Sequence, residues 1–400
     1  MTLRFYYDIV CPFAYIASTR VAALAAEAGV ELEYRPILLG GLLKGVGSPV
    51  VPMDAMNAAK LRLTELDAYR QAELAGLSVQ YPQAHPIRTV NAMRLLIAVE
   101  SVHRPALTAD LYRAYWEGGE DVADLGVLAE IAAPYGLDAR AVAVDPDVRQ
   151  GLFDATAEAV SAGAFGVPTF EVDGAIFWGA DRMHLVRRAL GLAPVPPAAK
   201  RGGRKLAFFH DFSSPFSYLA STQVARFAAE GSADLEYVPF LLGALFKSIG
   251  TPMVPLFTFS EARQAYQRRD MHDWAAWWDV PFQFPSTFPL RTVAALRVAL
   301  QDPATTHHIY AAAWAEDRDI GNPEVLREVL DAAGFDADAL IAGTQDPAIK
   351  DRLRRNTARA EAAGVCGAPT FQVDGGSLYW GQDRLPMVQT ALGGWDPQRG

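Results

Sequence analysis

The sequence predicts an α/β protein built from two homologous domains of about 200 residues, each with a large helical part. Three observations predict it. The segment Tyr7-Asp8-Ile9-Val10-Cys11-Pro12-Phe13-Ala14-Tyr15-Ile16-Ala17-Ser18-Thr19 recurs 203 positions later as His210-Asp211-Phe212-Ser213-Ser214-Pro215-Phe216-Ser217-Tyr218-Leu219-Ala220-Ser221-Thr222. Each copy then runs through the same order of apolar patterns: strand, helix, strand, helical stretch, hairpin and closing helix. Between the copies lies Ala193-Pro194-Val195-Pro196-Pro197-Ala198-Ala199-Lys200-Arg201-Gly202-Gly203-Arg204, stiffened by proline at one end and loosened by glycine at the other.

The duplication extends along nearly the whole chain. Leu42 to Pro49 matches Leu245 to Pro252, and His85 to Arg94 matches Phe288 to Arg297, at the same offset of 203. The offset falls to 198 at Trp116 and Trp314, so the second copy lacks five residues within its helical part. It returns to 202 at Trp178 and Trp380. A period this long is a domain rather than a solenoid unit, and the expected division is 1–192, a linker 193–204, and 205–400.

Leu3 to Ile9 reads as a buried strand. Pro12 ends it and suits the first turn of a helix that continues to Ala28. Glu31 to Pro36 is a second strand. Met53 to Ala75 and His85 to Gly136 read as mainly helical, with breaks at Gly76 to Pro82 and at Gly118-Gly119. Val167 to Val172, Asp173-Gly174 and Ala175 to Trp178 form a strand, tight turn and strand, and Asp181 to Leu190 closes the copy as a helix.

Just over half of the residues are apolar, enough for a core in each copy, and the formal charge is -10. That charge argues against general attraction to nucleic acid or an anionic membrane, while leaving room for a locally positive cleft. Two cysteines, Cys11 and Cys366, at non-equivalent places provide no disulfide framework. With no apolar targeting stretch after Met1, the expectation is a cytoplasmic protein.

Cys11 and Ser214 occupy the same point, after a strand and at the start of a helix. Unpaired amides and the positive helix end there favour a thiolate, predicting a lowered pKa for Cys11. An alkoxide is far too basic, so Ser214 is suited instead to donating a hydrogen bond to a ligand thiolate. The competing readings are an inert core thiol for Cys11 and a helix cap for Ser214. Neither Cys11-Pro12-Phe13-Ala14 nor Ser214-Pro215-Phe216-Ser217 offers a resolving cysteine, which disfavours disulfide exchange by a dithiol. No His-Glu-x-x-His, Cys-x-x-Cys, phosphate-binding glycine loop or Gly-x-Ser-x-Gly occurs, and no metal site is expected. Lys44, Lys247, Asp181-Arg182 and Asp383-Arg384 recur in both copies and carry either a structural or a ligand-binding reading.

Taken together, Asp211-Phe212-Ser213-Ser214-Pro215-Phe216-Ser217-Tyr218, Phe246-Lys247-Ser248-Ile249-Gly250, Gly367-Ala368-Pro369-Thr370-Phe371 and Tyr379-Trp380-Gly381-Gln382-Asp383-Arg384 resemble the 2-hydroxychromene-2-carboxylate isomerase family, which is close to kappa-class glutathione transferases. The resemblance implies thioredoxin-like domains of the DsbA-like type, each with a helical insertion, and glutathione as cofactor. It assigns Ser214 to the glutathione thiol, Lys247 to its carboxylates, Ala368 and a cis Pro369 to its cysteinyl backbone, and Asp383 to its γ-glutamyl end. Cys11, Lys44, Val167, Pro168 and Asp181 match in the first copy. Where family members often carry Asn-Ser, this chain has Arg88-Thr89 and Arg291-Thr292, making Arg88 and Arg291, with Tyr15 and Tyr218, the candidate substrate contacts. The implied activity is thiolate addition to an aromatic or polycyclic unsaturated carbonyl compound. Alternatives are a monothiol oxidoreductase using Cys11 and a non-catalytic binding module. Packing of the copies as a pseudo-dimer, with further dimerisation, is also expected.

Overall fold

A computed structural model describes residues 1–194 and 203–399. Most of the expected linker therefore lies outside the described residues. In the first repeat the elements are β1 (Thr2–Tyr7), α1 (Pro12–Ala28), β2 (Glu31–Pro36), α2 (Leu39–Gly45), α3 (Ala58–Leu74), α4 (Val90–Ala98) and α5 (Arg104–Trp116). They continue with α6 (Leu125–Ala132), α7 (Ala139–Val144), α8 (Pro146–Ser161), β3 (Thr169–Val172), β4 (Ala175–Trp178) and α9 (Met183–Ala189). The second repeat follows suit with β5 (Lys205–His210), α10 (Pro215–Glu230), β6 (Asp234–Pro239), α11 (Leu242–Ile249), α12 (Glu261–Trp277), α13 (Val293–Gln301) and α14 (Thr305–Trp314). It ends with α15 (Pro323–Ala332), α16 (Ala337–Gly343), α17 (Pro347–Ala363), β7 (Thr370–Val373), β8 (Leu378–Trp380) and α18 (Leu385–Leu392).

Each repeat contains one four-stranded sheet, of order β2-β1-β3-β4 or β6-β5-β7-β8. β1 pairs in parallel with β2, joined by α1 as the crossover, and antiparallel with β3. Being central, β1 buries Leu3, Phe5 and Tyr7 completely. The β3–β4 turn puts Asp173 and Gly174 at φ 48° and 80°, as a two-residue hairpin turn demands. One extra residue enters the β7–β8 turn at Asp374-Gly375-Gly376, so the offset shifts across this hairpin from 201 at Pro168 and Pro369 to 202 at Trp178 and Trp380.

Several elements differ from expectation. α2 forms despite three glycines because its first turn is held from outside: the Leu39 amide donates to Asp8 and the Leu38 amide to Thr156. α7 and α8 occupy a stretch where no element is read from sequence, and their starts are capped by Asp138 and Asp145. His85 to Thr89 is loop rather than helix, with a cis His85-Pro86 bond matched by a cis Phe288-Pro289 bond. Asp181 lies in a short 3-10 turn before α9. The five missing residues shorten the second repeat at one helix and the loop before it: α14 has 10 residues against 13 in α5, and the preceding loop spans 302–304 against 99–103.

The compact units also depart from the expected division at two places. The first includes Met1–Met56, the first repeat from Asp67 onward, and Phe259–Gln264; the second includes Asn57–Leu66 together with most of the second repeat. Accordingly Leu63 belongs to the second unit's core, with Phe209, Val238, Phe240 and Val365. Sequence duplication could not reveal this, because an exchanged segment aligns with its counterpart as well as an unexchanged one does.

Candidate functional site

In each repeat the site is assembled around a buried aspartate at the end of the central strand. Asp8 accepts hydrogen bonds from the amides of Val10 (3.1 Å) and Leu39 (2.8 Å) and from the Thr89 hydroxyl (2.7 Å). Asp211 repeats this with Ser213 (2.9 Å), Leu242 (2.8 Å) and Thr292. One carboxylate thus ties together the loop before the first helix, the start of the second, and the loop after the cis prolines. Burial pushes both carboxyls up, partly offset by those donors. Tyr112 and Trp116 finish the first frame by donating to the carbonyls of Asp8 (3.2 Å) and Ile9 (2.9 Å); Trp314 donates to Phe212 (2.8 Å) in the second.

This frame sets the reactive atom against the cis proline. The Val167-Pro168 and Ala368-Pro369 bonds are both cis. Ser214 Oγ donates to the Ala368 carbonyl at 2.7 Å and accepts from the Ser217 amide at 3.2 Å. It is therefore a helix cap as well as a site hydroxyl. Cys11 Sγ donates to the Val167 carbonyl at 3.2 Å and makes no side-chain cap.

The expectation of a lowered Cys11 pKa is corrected. The thiol is almost wholly buried, and loss of solvent pushes it up to about 12 despite the Ala14 and Phe13 amides. Asp8 adds to the rise. A helix end contributes about 0.3–1 kcal/mol, less than the cost of charging a thiol away from water.

Beyond the cis proline, Gly179 and Gly381 donate their amides to Pro168 (2.9 Å) and Pro369 (3.0 Å). Their φ angles of 111° and 112° exclude ordinary side chains, and a Cβ there would meet Asp181 or Asp383 at 2.5 or 2.4 Å. Asp181 pairs with Arg182 at 2.9 Å and Asp383 with Arg384 at 3.2 Å. Gly166 and Gly367 are needed for another close approach, since a Cβ at either would lie 2.6 Å from the indole nitrogen of Trp178 or Trp380.

Those two indoles reveal residues that sequence reasoning missed. In the second unit, Lys60 Nζ lies 5.7 Å from the Trp380 ring centroid. Its charge also bears on Cys366, opposing the burial that pushes that thiol up to about 12. In the first unit, the Arg263 guanidinium lies 5.5 Å from the Trp178 centroid and 3.7 Å from that of Phe259, and burial lowers its pKa to about 10. The available signal was that Lys60 and Arg263 are cations at the same offset of 203.

The other expected residues divide into two sets. Tyr15 and Tyr218 stand near the site, Tyr15 donating to Glu117 (2.7 Å) and Tyr218 to the Pro281 carbonyl. Lys44 and Lys247 are exposed near the far ends of α2 and α11, about 7.5 Å along the helix axis from the residues that bond Asp8 and Asp211. Arg88 and Arg291 are exposed as well, while the neighbouring threonines face the buried aspartates. Among the described residues, no group of three or more His, Cys, Asp or Glu side chains is arranged to hold a metal, and no helix is long and apolar enough to cross a membrane.

Residues 2–191 and 205–393 each match the DSBA-like thioredoxin domain. The chain belongs to that family, carrying its domain twice. It is homologous to the isomerases and kappa-class transferases named next. It is 30% identical over 199 residues to 2-hydroxychromene-2-carboxylate isomerase from Sphingobium xenophagum, a match covering 47% of this chain and 98% of the relative. Glutathione S-transferase kappa 1 from Rattus norvegicus is 29% identical over 216 residues, covering 49% and 94%. A solved structure of 2-hydroxychromene-2-carboxylate isomerase is 22% identical, covers 48% of this chain and 95% of its own, and has a TM-score of 0.42. The two DSBA-like domains are thioredoxin-like α/β units with helical insertions.

Proposed function

We propose that this chain is a glutathione-dependent isomerase or transferase acting on an aromatic or polycyclic unsaturated carbonyl compound, with Ser214 as its principal thiol-binding hydroxyl. The observation that carries the reading is the placement of Ser214 Oγ at the start of α10, 2.7 Å from the Ala368 carbonyl beside cis Pro369. The relatives named for glutathione transfer and for isomerisation support it at the level of the family.

The available groups fit the chemistry of glutathione, which offers a thiol, two carboxylates and an ammonium. Ser214 supplies a hydroxyl donor, Lys60 a cation beside Trp380, and Asp383 a carboxylate. Arg263 and Asp181 are their counterparts in the first unit. Bound glutathione would supply a nucleophilic sulfur that adds reversibly beside a conjugated carbonyl, permitting rotation before elimination.

The Ser214 hydroxyl would turn from Ala368 toward that sulfur, a rotation about one side-chain bond. Its Ser217 contact holds the oxygen in place meanwhile. Amides at the start of α10 add positive potential. Ala368, relieved of the serine hydrogen, would accept from the ligand backbone. Arg291 would draw in an anionic substituent of the substrate, with Arg88 doing so in the first unit. Lys247 and Lys44 would favour the approach of an anionic cofactor at longer range.

Calorimetric titration of glutathione tests this directly. Ser214→Ala is expected to weaken binding about tenfold, the scale of a hydrogen bond to a charged group. Affinity and activity unchanged from wild type would overturn the role of Ser214. The monothiol reading has less physical support, because Cys11 is buried and its thiol is pushed up to about 12.

A further inference from the structure

The clefts share a frame but not a lining. In both, an amide from the loop before the cis proline caps the tryptophan carbonyl: Gln80 to Trp116 at 2.8 Å, and Gln283 to Trp314 at 2.6 Å. Each tryptophan is pinned through its indole to the loop carrying Cys11 or Ser214. Rings packed on Trp116 and Trp314 are therefore linked, through one indole, to the loop that carries the reactive position two residues after Ile9 or Phe212.

Around Trp116 these rings are polar. Tyr81 and His85 approach its ring at centroid distances of 5.2 and 5.1 Å, and His85 Nδ1 is 2.8 Å from the Tyr115 hydroxyl. With Nδ1 so engaged, Nε2 is the remaining polar atom of a half-buried imidazole. Burial lowers its pKa to about 4, keeping the ring neutral near pH 7.

Around Trp314 the corresponding polar atoms are gone. Phe284 and Phe288 replace Tyr81 and His85, with centroids 5.7 and 6.2 Å from the indole and 4.9 Å from each other. Ala313 replaces Tyr115, so the imidazole and its hydroxyl partner are absent together. Phe257 extends the apolar wall at 6.3 Å from Phe288 and remains 57% exposed. The first repeat has Asp54 at the position of Phe257. An exposed aromatic step leading from the surface to the Ser214 loop is suited to a flat apolar ligand.

We propose that the two repeats receive unsaturated carbonyl substrates with different aromatic portions: a hydroxylated ring hydrogen-bonded to His85 in the first unit, and a fused ring bare of polar substituents, stacked against Phe257, Phe284 and Phe288, in the second. This substrate assignment rests on reading both repeats as thiol-transfer clefts. The polar cleft desolvates its histidine, so an apolar ring that offers no hydrogen bond is disfavoured there. The apolar cleft has no such group to leave unpaired.

Equilibrium dialysis of the full chain with 2-naphthol and with naphthalene separates the two clefts. His85→Phe should weaken 2-naphthol about fivefold and leave naphthalene unchanged, whereas His85→Asn, which keeps a polar donor, should retain 2-naphthol. Phe288→His should weaken naphthalene about fivefold and leave 2-naphthol unchanged. Equal losses of both probes in either variant, with thermal unfolding unchanged, would overturn the assignment. So would no loss in either. Glutathione titrations alongside distinguish the two ideas: sorted probes without glutathione binding would sink the proposed function and retain this inference, and the opposite result would do the reverse.

Discussion

The Cys11 and Ser214 sites occupy equivalent backbones and are both buried, yet the sulfur and the oxygen answer that burial differently. Ser214 Oγ both donates and accepts, to Ala368 and from Ser217, while Cys11 Sγ donates to Val167 and makes no side-chain cap. The surrounding frame is nearly unchanged because it is made by Asp8 or Asp211 gathering backbone amides and a threonine. Backbone donors survive side-chain replacement. The reactive atom can therefore change without loss of the fold, and its environment then decides what it can do. For Cys11 that environment is burial, which outweighs the helix end.

The most severe test of the contrast is the reactivity of Cys11. At pH 8 its alkylation by iodoacetamide, followed by intact mass, should be about a thousandfold slower than that of free cysteine, since a thiol near 12 is almost entirely protonated. Labelling at the free-cysteine rate would return Cys11 to the class of active thiols. Cys366, also pushed up to about 12, should be comparably slow.

A smaller effect distinguishes the cations. Lys60→Met should weaken glutathione binding at the second site about tenfold, and Arg263→Met should act only on the first. Two-site calorimetry reads both, and exchange of the two effects would show that the exchanged segments have been assigned to the wrong clefts. The prediction follows from the placement of Lys60 at Trp380 and Arg263 at Trp178.

The smallest effect concerns pH. His210 occupies the place of Tyr7, is completely buried near Tyr310, and has its pKa lowered by burial to about 3. An unfolded imidazole gains its proton near pH 6.5, so the folded unit holds the full benefit above that value and loses it as pH falls toward 3. Asp211 acts in the opposite direction, its raised pKa making stability fall as pH rises through the folded value. Replacing His210 by Tyr leaves Asp211 alone. The acid unfolding midpoint of the second unit, followed by tryptophan fluorescence, should move about half a pH unit lower. A midpoint that stays put would mean that His210 is already protonated in the folded unit.

Much of this organisation is legible in the chain. Repetition of Tyr7 to Thr19 and His210 to Thr222 reveals the duplication, and Pro12 and Pro215 mark the helix starts. Asp173-Gly174 announces the hairpin turn. These features are local: fixed proline φ, tolerated positive φ at Asp and Gly, and alternating apolar residues act within a few positions. Cis geometry at Pro168 and Pro369 was legible only through resemblance, and that at Pro86 and Pro289 was not foreseen.

By itself, the sequence determined two α/β repeats and the identity of the atom at each site, sulfur at Cys11 and oxygen at Ser214. Tertiary structure decided that both atoms are buried and which distant residues stand in each site. Desolvation depends on everything packed around a group, so the helix-start motif that promises a thiolate could not disclose the burial of Cys11. Likewise Lys60 reaches Trp380 and Arg263 reaches Trp178 through contacts across long stretches of chain. Sequence spacing limits what neighbouring residues can do; only folding selects these distant neighbours.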